Sequence, residues 1–311
     1  MEEHGTDIVK WADEAMYESQ PMLKREGARI TPRVFLLNAT PDPLGTLAAD
    51  MRMYRGDPVY NLDEITDEQR RWAWDELSKT KLNTPLEGVQ LKFMIEAVTR
   101  SFTHQMVRQR VGAYYVQESL RFAVKRGLAS EVAVPPSVAN DETASILWHK
   151  MIENIDAAYN GLVDAGIPAE DARGLLPHAT TTRIIYTTNL RALFDVAGNR
   201  LCTQAQFEWR AVFIGIMNAI KNHGHSLPEM GSGFDDRWQW ELIAEPKAYT
   251  FTPICYRLGH CAFMSMLDRG CSIRERVNEG RFADIHPEEW MADPMAGVTM
   301  TDKYRNQPRP E

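Results

Sequence analysis

Cysteine is scarce in this chain: Cys202, Cys255, Cys261 and Cys271 are the only four in 311 residues. Four thiols so scattered exclude a disulfide framework and fit a reducing cytoplasm. The spacing Cys255-x4-His260-Cys261-x9-Cys271, with His223-x-His225 upstream, lacks the C-x2-C pairs of zinc modules, so core cysteines are the expectation and no metal is assigned. Long apolar runs are missing as well, and nothing approaches the ~20 residues that span a bilayer. The first residues, MEEHGTDIVKWADEAM, carry acids where a secretory signal carries bases. The expectation is a soluble, cytoplasmic protein with no membrane partner. Basic residues are in deficit, 35 Lys and Arg against 43 Asp and Glu, for a net charge of -8. A nucleic-acid partner is thereby disfavoured, and any anionic ligand has to be met by a few local arginines. There is no G-x-G-x-x-G and no G-x-x-x-x-G-K, no internal repeat and no low-complexity linker.

What is present is enough apolar content, 44% of residues, to bury a sizeable core in one elaborated domain. The pattern predicts an amphipathic helix over 6–24, a strand over 33–37, a turn at TPDPLG (40–45) and a helix over 66–79 opened by Thr66. Met94, Val98, Phe102 and Met106 recur every fourth residue and predict one long helix from Thr84-Pro85 to about Arg110. A helix over 141–165 and a β-branched strand over 181–188 follow. NLRALFDVAGNRLCTQAQFEWRAVFIGIMNAIKNHG divides into two helices. Gly198 is expected to end the first, Thr203-x-x-Gln206 to cap the second, and Asn222-His223-Gly224 to close it.

Chemistry concentrates in HQMVRQRVGAYYVQESLRF, residues 104–122. On a helix Ser101, Gln105 and Arg108 share a face, while Arg110, about 200° round from Arg108, serves another partner. Gly112 permits the helix to stop, and YYVQESLRF alternates with period two. Tyr115, Gln117, Ser119 and Arg121 would line one side of a strand, with Val116, Leu120 and Phe122 on the other and Glu118 among them. By itself that row reads equally as a ligand-binding edge or as a solvated strand face. A second cluster, Asn189, Arg191, Asp195 and Asn199, runs along one side of a helix, with Arg200 expected just before the next helix start. Free amides and a guanidinium there would make an anion site without a basic surface, and phosphate is the obvious guest. Arg173 in EDARGLLP reads either as a further anion ligand or as a helix-end cap.

These residues resemble the flavin-dependent thymidylate synthases. The family signature R-H-R-x7-S-x-R is approximated by Arg108-Gln109-Arg110 and Ser119-Leu120-Arg121; TPLE (84–87) and HQMVR (104–108) precede it, and Ala172-Arg173, TTR, N-L-R, GNR and Q-A-Q-x-E follow in the family's order. The likeness spans about residues 30–222. It implies an α+β fold, a mixed or antiparallel sheet flanked by long helices, in a homotetramer whose sites draw on more than one subunit. On that basis the chain divides into an N-terminal helical extension (1–30), an FAD- and nucleotide-binding catalytic core (31–224) and a C-terminal extension with a mobile tail (225–311). Carried over position by position, Thr84, Glu87, Arg108, Gln109, Arg110, Asn189, Arg191, Asp195, Asn199, Arg200 and Gln204 would hold FAD. Gln105, Gln117, Glu118, Ser119, Arg121, Arg173 and Arg200 would hold dUMP, with Gln105, Ser119 and Arg200 the catalytic candidates. Ser119 is expected to hydrogen bond rather than attack, since no His base lies near it in sequence.

The implied reaction joins a one-carbon unit from methylene-tetrahydrofolate to C5 of the uracil and reduces it with hydride from flavin, itself reduced by NADPH. The protein's share is to orient the partners and polarise the uracil carbonyl. The chain departs from the family at Gln109 and Gln204, where histidines are usual, at Leu82 and Gly88 for the same reason, and in having eight residues between Arg110 and Ser119 instead of seven. Amides keep the hydrogen bonding but lose a group that titrates near neutrality. Two alternatives stay open: a pyrimidine-nucleotide 5-hydroxymethylase, with water in place of hydride, and a non-catalytic nucleotide-binding assembly protein.

Overall fold

A computed structural model of the chain describes residues 32–80, 83–223, 237–247, 249–262 and 271–291. The expected 6–24 helix, Leu82, Gly224, His225 and the C-terminal tail lie outside the described residues. Four antiparallel strands form one sheet in the order β1-β2-β4-β3: β1 (Arg33–Ala39), β2 (Gln90–Thr99), β3 (Ala113–Gln117) and β4 (Thr181–Asn189). Around it lie α1 (Pro43–Met53), α2 (Asp67–Leu77), α3 (Arg100–Met106), α4 (Glu142–Asp164), α5 (Leu190–Arg200), α6 (Phe207–Lys221) and α7 (Arg237–Ala244). The short α8 (Ile254–Leu258) and α9 (Arg274–Asn278) complete the part used below. The α+β class with an antiparallel sheet is as expected. No helix among the described residues is long and apolar enough to cross a membrane.

The core lies between the sheet and α5, α6 and α7. Leu91, Phe93, Ile95 and Tyr186 of the two central strands meet Leu193, Phe194, Trp209, Phe213 and Trp240, all buried. Gly215 of α6 sits hard against β1: a Cβ there would stand 2.7 Å from Val34 Cγ2, a close approach that only glycine allows. Beneath α4 is a satellite cluster of Leu128, Val132 and Ile152.

The strands at 33–39 and 181–189 and the helices at 67–77 and 142–164 form where expected, and Thr66 with Gln69 makes a reciprocal capping box at the start of α2. The long 84–110 helix does not exist. Residues 84–87 are one 3-10 turn, 90–99 the central strand β2 and only 100–106 a helix. Leu91, Phe93 and Ile95 alternate inward as strand residues do, and a bulge then shifts the register between Ile95 and Val98, with Ala97 at φ 56°. The bulge puts Val98 inward three residues after Ile95, which is what imitated a helical repeat. Four further expectations fail. TPDPLG is no mere turn, because Pro43 opens α1 and Asp42 caps it. Gly198 lies inside α5, which runs on to Arg200. Thr203 caps nothing, because α6 begins at Phe207 with Gln206 before it and no side-chain cap bond. Arg200 therefore ends a helix, six residues short of the next one's cap. Finally, the period-two reading stops at Gln117: Ser119 begins a turn, Leu120 is buried, and Val116 is 58% exposed.

Candidate active site

Two of the motif helices, α3 and α5, each start directly from the end of a central strand, and each is capped at that junction by a short polar side chain. Thr99 Oγ1 accepts from the Phe102 amide at 3.1 Å, and Asn189 Oδ1 accepts from the Ala192 amide at 2.8 Å. Asn189 is thus committed to its own helix. Gly112, at φ +68°, passes so close to it that a Cβ would lie 2.9 Å from Asn189 Nδ2, so the turn into β3 and the start of α5 are fitted to each other.

Of the residues matched to the nucleotide, Gln117, Ser119, Arg121 and Arg173 gather toward the N-terminal end of α3, whereas Gln105 is at its other end and Arg200 ends α5. Gln117 donates to Thr103 Oγ1 at 2.8 Å, which holds the end of β3 against α3. Ser119 Oγ accepts from the Arg121 amide at 3.3 Å within the turn. Arg121 pairs with the Glu170 carboxylate at 2.9 Å, and Arg173 donates to the Glu170 carbonyl at 3.1 Å, so one acidic residue brings both arginines together. Glu118 faces away from them, toward Lys125 at 3.2 Å. Arg100, which the motif reading missed, is partly buried here, and burial first and then the charge of Arg173 push its guanidinium below the usual arginine range. Its only sequence signal was its place just after a helix cap.

The residues matched to flavin gather past the other end of α3, a seven-residue helix about 10 Å long at ~1.5 Å per residue. Glu87 and Arg191 form an ion pair that joins the TPLE turn to α5. Thr84 lies exposed on that turn. Arg108 is exposed, Arg110 is near enough to Tyr115 to offset part of the burial that raises that phenol, and Gln109 donates weakly to the Val111 carbonyl. Arg200 is half-buried with its guanidinium 4.5 Å from the Trp209 ring centre. Burial, and then neighbouring Arg108, lower its pKa. Among the described residues neither Arg108 nor Arg200 has a carboxylate partner. Asp195 faces another neighbour, while Asn199 turns back on its own helix. Arg257 of α8 pairs with Asp195 at 3.1 Å, and Asn199 Nδ2 donates to the Asp195 carbonyl at 3.2 Å. Gln204 is in the turn after α5.

One chain of hydrogen bonds joins the two ends. Gln105 accepts from Trp209 Nε1 at 3.0 Å, and Trp209 is the ring on which Arg200 rests. Gln105 donates in turn to Gln206, Gln206 to Glu208, and Glu208 takes both the amide and the hydroxyl of Thr99, at 2.8 and 2.7 Å. Glu208 is 3% exposed, and burial raises its pKa against the pull of those donors. Trp209 and Glu208 were legible only as helix residues, because nothing in a linear motif tells a core tryptophan from one that orients a glutamine.

With this geometry in place, comparison with known proteins defines the class. The chain matches the family described as Thymidylate synthase complementing protein over residues 35–223, and it belongs to that family. It is 35% identical over 191 residues to the flavin-dependent thymidylate synthase of Geobacter sulfurreducens, covering 61% of this chain and 82% of that one. With the Nitratidesulfovibrio vulgaris enzyme of the same name it shares 33% over 256 residues, 75% and 92% of the two chains. Two solved structures share the fold. The UMP/dUMP methylase PolB from Streptomyces cacaoi aligns with a TM-score of 0.52 at 20% identity, over 61% of this chain and 90% of that one. Thymidylate synthase X from Helicobacter pylori, solved with FAD and dUMP, aligns at 0.50 and 16%, over 68% and 97%. This chain is thus an enzyme of the flavin-dependent thymidylate synthase class.

Proposed function

We propose that the chain methylates dUMP at C5 to give dTMP, with FAD as cofactor, methylene-tetrahydrofolate as carbon donor and NADPH as reductant. The observation that carries the reading is the pair of cations Arg108 and Arg200, side by side and without a carboxylate partner among the described residues, tied through Trp209 and Gln105 to the end of α3 where Arg100 and Arg173 repel each other. Like charges held side by side suit a site that receives anions. The donor set fits the cofactor: Arg108 and Arg191 for its pyrophosphate, with Arg110, Arg200 and the amides of Gln109 and Gln204 beside them. When bound, the flavin supplies hydride transfer.

The chain's own residues do the positioning. Arg121 and Arg173 meet the nucleotide phosphate as planar, bidentate donors, displacing the contacts they share at Glu170. Gln105 is fixed at both its oxygen and its nitrogen, so it presents one orientation to the base. Arg200, raised on an aromatic face and partly desolvated, polarises a uracil oxygen and makes C5 more nucleophilic. Ser119, in a turn with its oxygen on a backbone amide, hydrogen bonds and does not attack.

The active unit is a homotetramer with shared sites. Ile146, at 64% exposure, and Leu147, at 61%, leave an apolar stripe on α4, and Tyr114 and Val116 do the same on edge strand β3. Such surfaces suit burial against other copies. Incubation with FAD, dUMP, methylene-tetrahydrofolate and NADPH, with products resolved by mass, tests the reading. Thymidylate with NADPH oxidation is expected. 5-Hydroxymethyl-dUMP without flavin turnover would select the hydroxymethylase instead, and no product with tight nucleotide binding would select the assembly protein.

A further inference from the structure

All four cysteines of the chain converge on one cavity of about 250 Å³. They arrive from separate segments. Cys202 stands in the turn after α5, Cys255 is in α8, Cys261 follows it, and Cys271 precedes α9. Each is a free thiol of intermediate burial. The backbone around them is tied down: the Cys261 amide donates to Asn278 Oδ1 at 3.0 Å, and the Arg274 amide donates to the Cys271 carbonyl at 3.3 Å.

We propose that Cys202, Cys255, Cys261 and Cys271 form a structural tetrathiolate zinc site that fastens the C-terminal segment to the turn between α5 and α6. A closed site of four sulfur ligands is what tetrahedral zinc takes when its role is structural. The linear spacing hid it, because the fourth ligand, Cys202, lies more than fifty residues before the other three. The segment also needs a fastening. The described residues 249–262 and 271–291 form only short helices, with Phe251, Ile273, Val277 and Trp290 among their buried anchors, and so small a core gains from a metal. No three His, Cys, Asp or Glu groups among the described residues stand at metal-binding separation as the chain lies. Zinc therefore draws the thiols inward to about 2.3 Å each rather than entering a finished cage. The metal sits behind Arg200 and Gln204, which line the same cavity, so it steadies the turn that carries them.

The test uses the full chain expressed with zinc in the medium. Elemental analysis after desalting should give close to one zinc per chain. A mercurial thiol reagent, followed with a chromogenic zinc indicator, should release it as the thiols are blocked. Replacing zinc with cobalt should produce the intense visible bands of a tetrahedral tetrathiolate, and Cys261→Ser should shift those bands to a three-sulfur spectrum even if the variant is less stable. Four freely reactive thiols with no retained zinc or cobalt would overturn the proposal. So would a Cys202–Cys255 disulfide in freshly isolated protein, or cobalt bands that Cys202→Ala leaves unchanged.

Discussion

Arg70 and Arg200 are both arginines taken largely out of water, and the structure treats them in opposite ways. Arg70 of α2 is 4% exposed and saturated: it grips Asp42 at 2.7 and 2.9 Å and donates to the Ile65 and Leu62 carbonyls. Asp42 is held on its other side by Gln239 of α7 at 2.9 Å, while Gln239 accepts from the Leu44 amide at 2.8 Å. That network binds three distant parts of the chain and leaves nothing for a ligand. Arg200 has an aromatic ring beneath it, a second arginine beside it and, among the described residues, no acid paired with it. A buried charge that is neutralised holds the fold together, and one that is left facing its own kind is waiting for something else.

The contrast is sharpest in stability. Asp42→Ala takes away the closer, two-pronged partner of the buried Arg70 guanidinium and leaves, among the described residues, only the exposed Asp67 carboxylate at 3.3 Å, and it should lower the unfolding free energy by about 3–5 kcal/mol in urea titrations at neutral pH. Arg108→Ala should move the same transition by less than about 0.5 kcal/mol. Equal losses in the two variants would erase the distinction.

Next in size is the nucleotide. Arg173→Ala removes a charge-assisted contact of about 1.5–3 kcal/mol and should weaken dUMP binding roughly 10- to 100-fold by calorimetry. Arg121→Lys keeps the charge but loses the planar fork, and should weaken dUMP clearly while flavin stays bound. Wild-type dUMP affinity in both Arg121→Ala and Arg173→Ala would remove these residues from the site.

The pH dependence follows from Asp42. Burial raises its pKa, but the hydrogen bonds from Arg70 and Gln239, the Arg70 charge and the Gly45 amide outweigh burial and hold the carboxyl below its usual range. The stabilisation is fully present above the unfolded value, about 3.9, and is lost as pH falls through the lower folded value. Wild-type stability should therefore decline steeply below about pH 4, and Asp42→Asn, already weakened at pH 7, should show a shallower decline. Parallel pH profiles would mean that Asp42 does not titrate as described.

The smallest effect belongs to Glu208. Since burial already favours its neutral form, Glu208→Gln should cost no more than about 1 kcal/mol and should change KM for dUMP only a few-fold. Glu208→Ala, which leaves the Thr99 amide and Gln206 without an acceptor, should do visibly more to both.

How far the sequence could be read depended on how local each cause was. Thr66 and the β-branched run at 181–188 act over a few residues, and the elements they predict are present. The central strand was misread because its bulge at Ala97 is a response to pairing with β4, some ninety residues away, and the resulting spacing of Val98, Phe102 and Met106 copies a helix. Within the site, arginines and amides at motif spacing were visible in the chain. That Asn189 spends its side chain on a cap, that Arg257 takes Asp195, and that Arg100 stands beside Arg173 are facts of tertiary contact which no linear spacing encodes. The same holds for Cys202 among the other thiols.

Arg108 and Arg191 are proposed as cofactor ligands and not as scaffolding. The direct measurement is the FAD dissociation constant, by fluorescence titration of Arg108→Ala and Arg191→Ala beside wild type, with the unfolding transition recorded on the same samples. Both variants should bind FAD at least roughly 10-fold more weakly, from the loss of about 1.5–3 kcal/mol each. Their unfolding should be nearly unchanged. Wild-type FAD affinity in both variants would contradict the account.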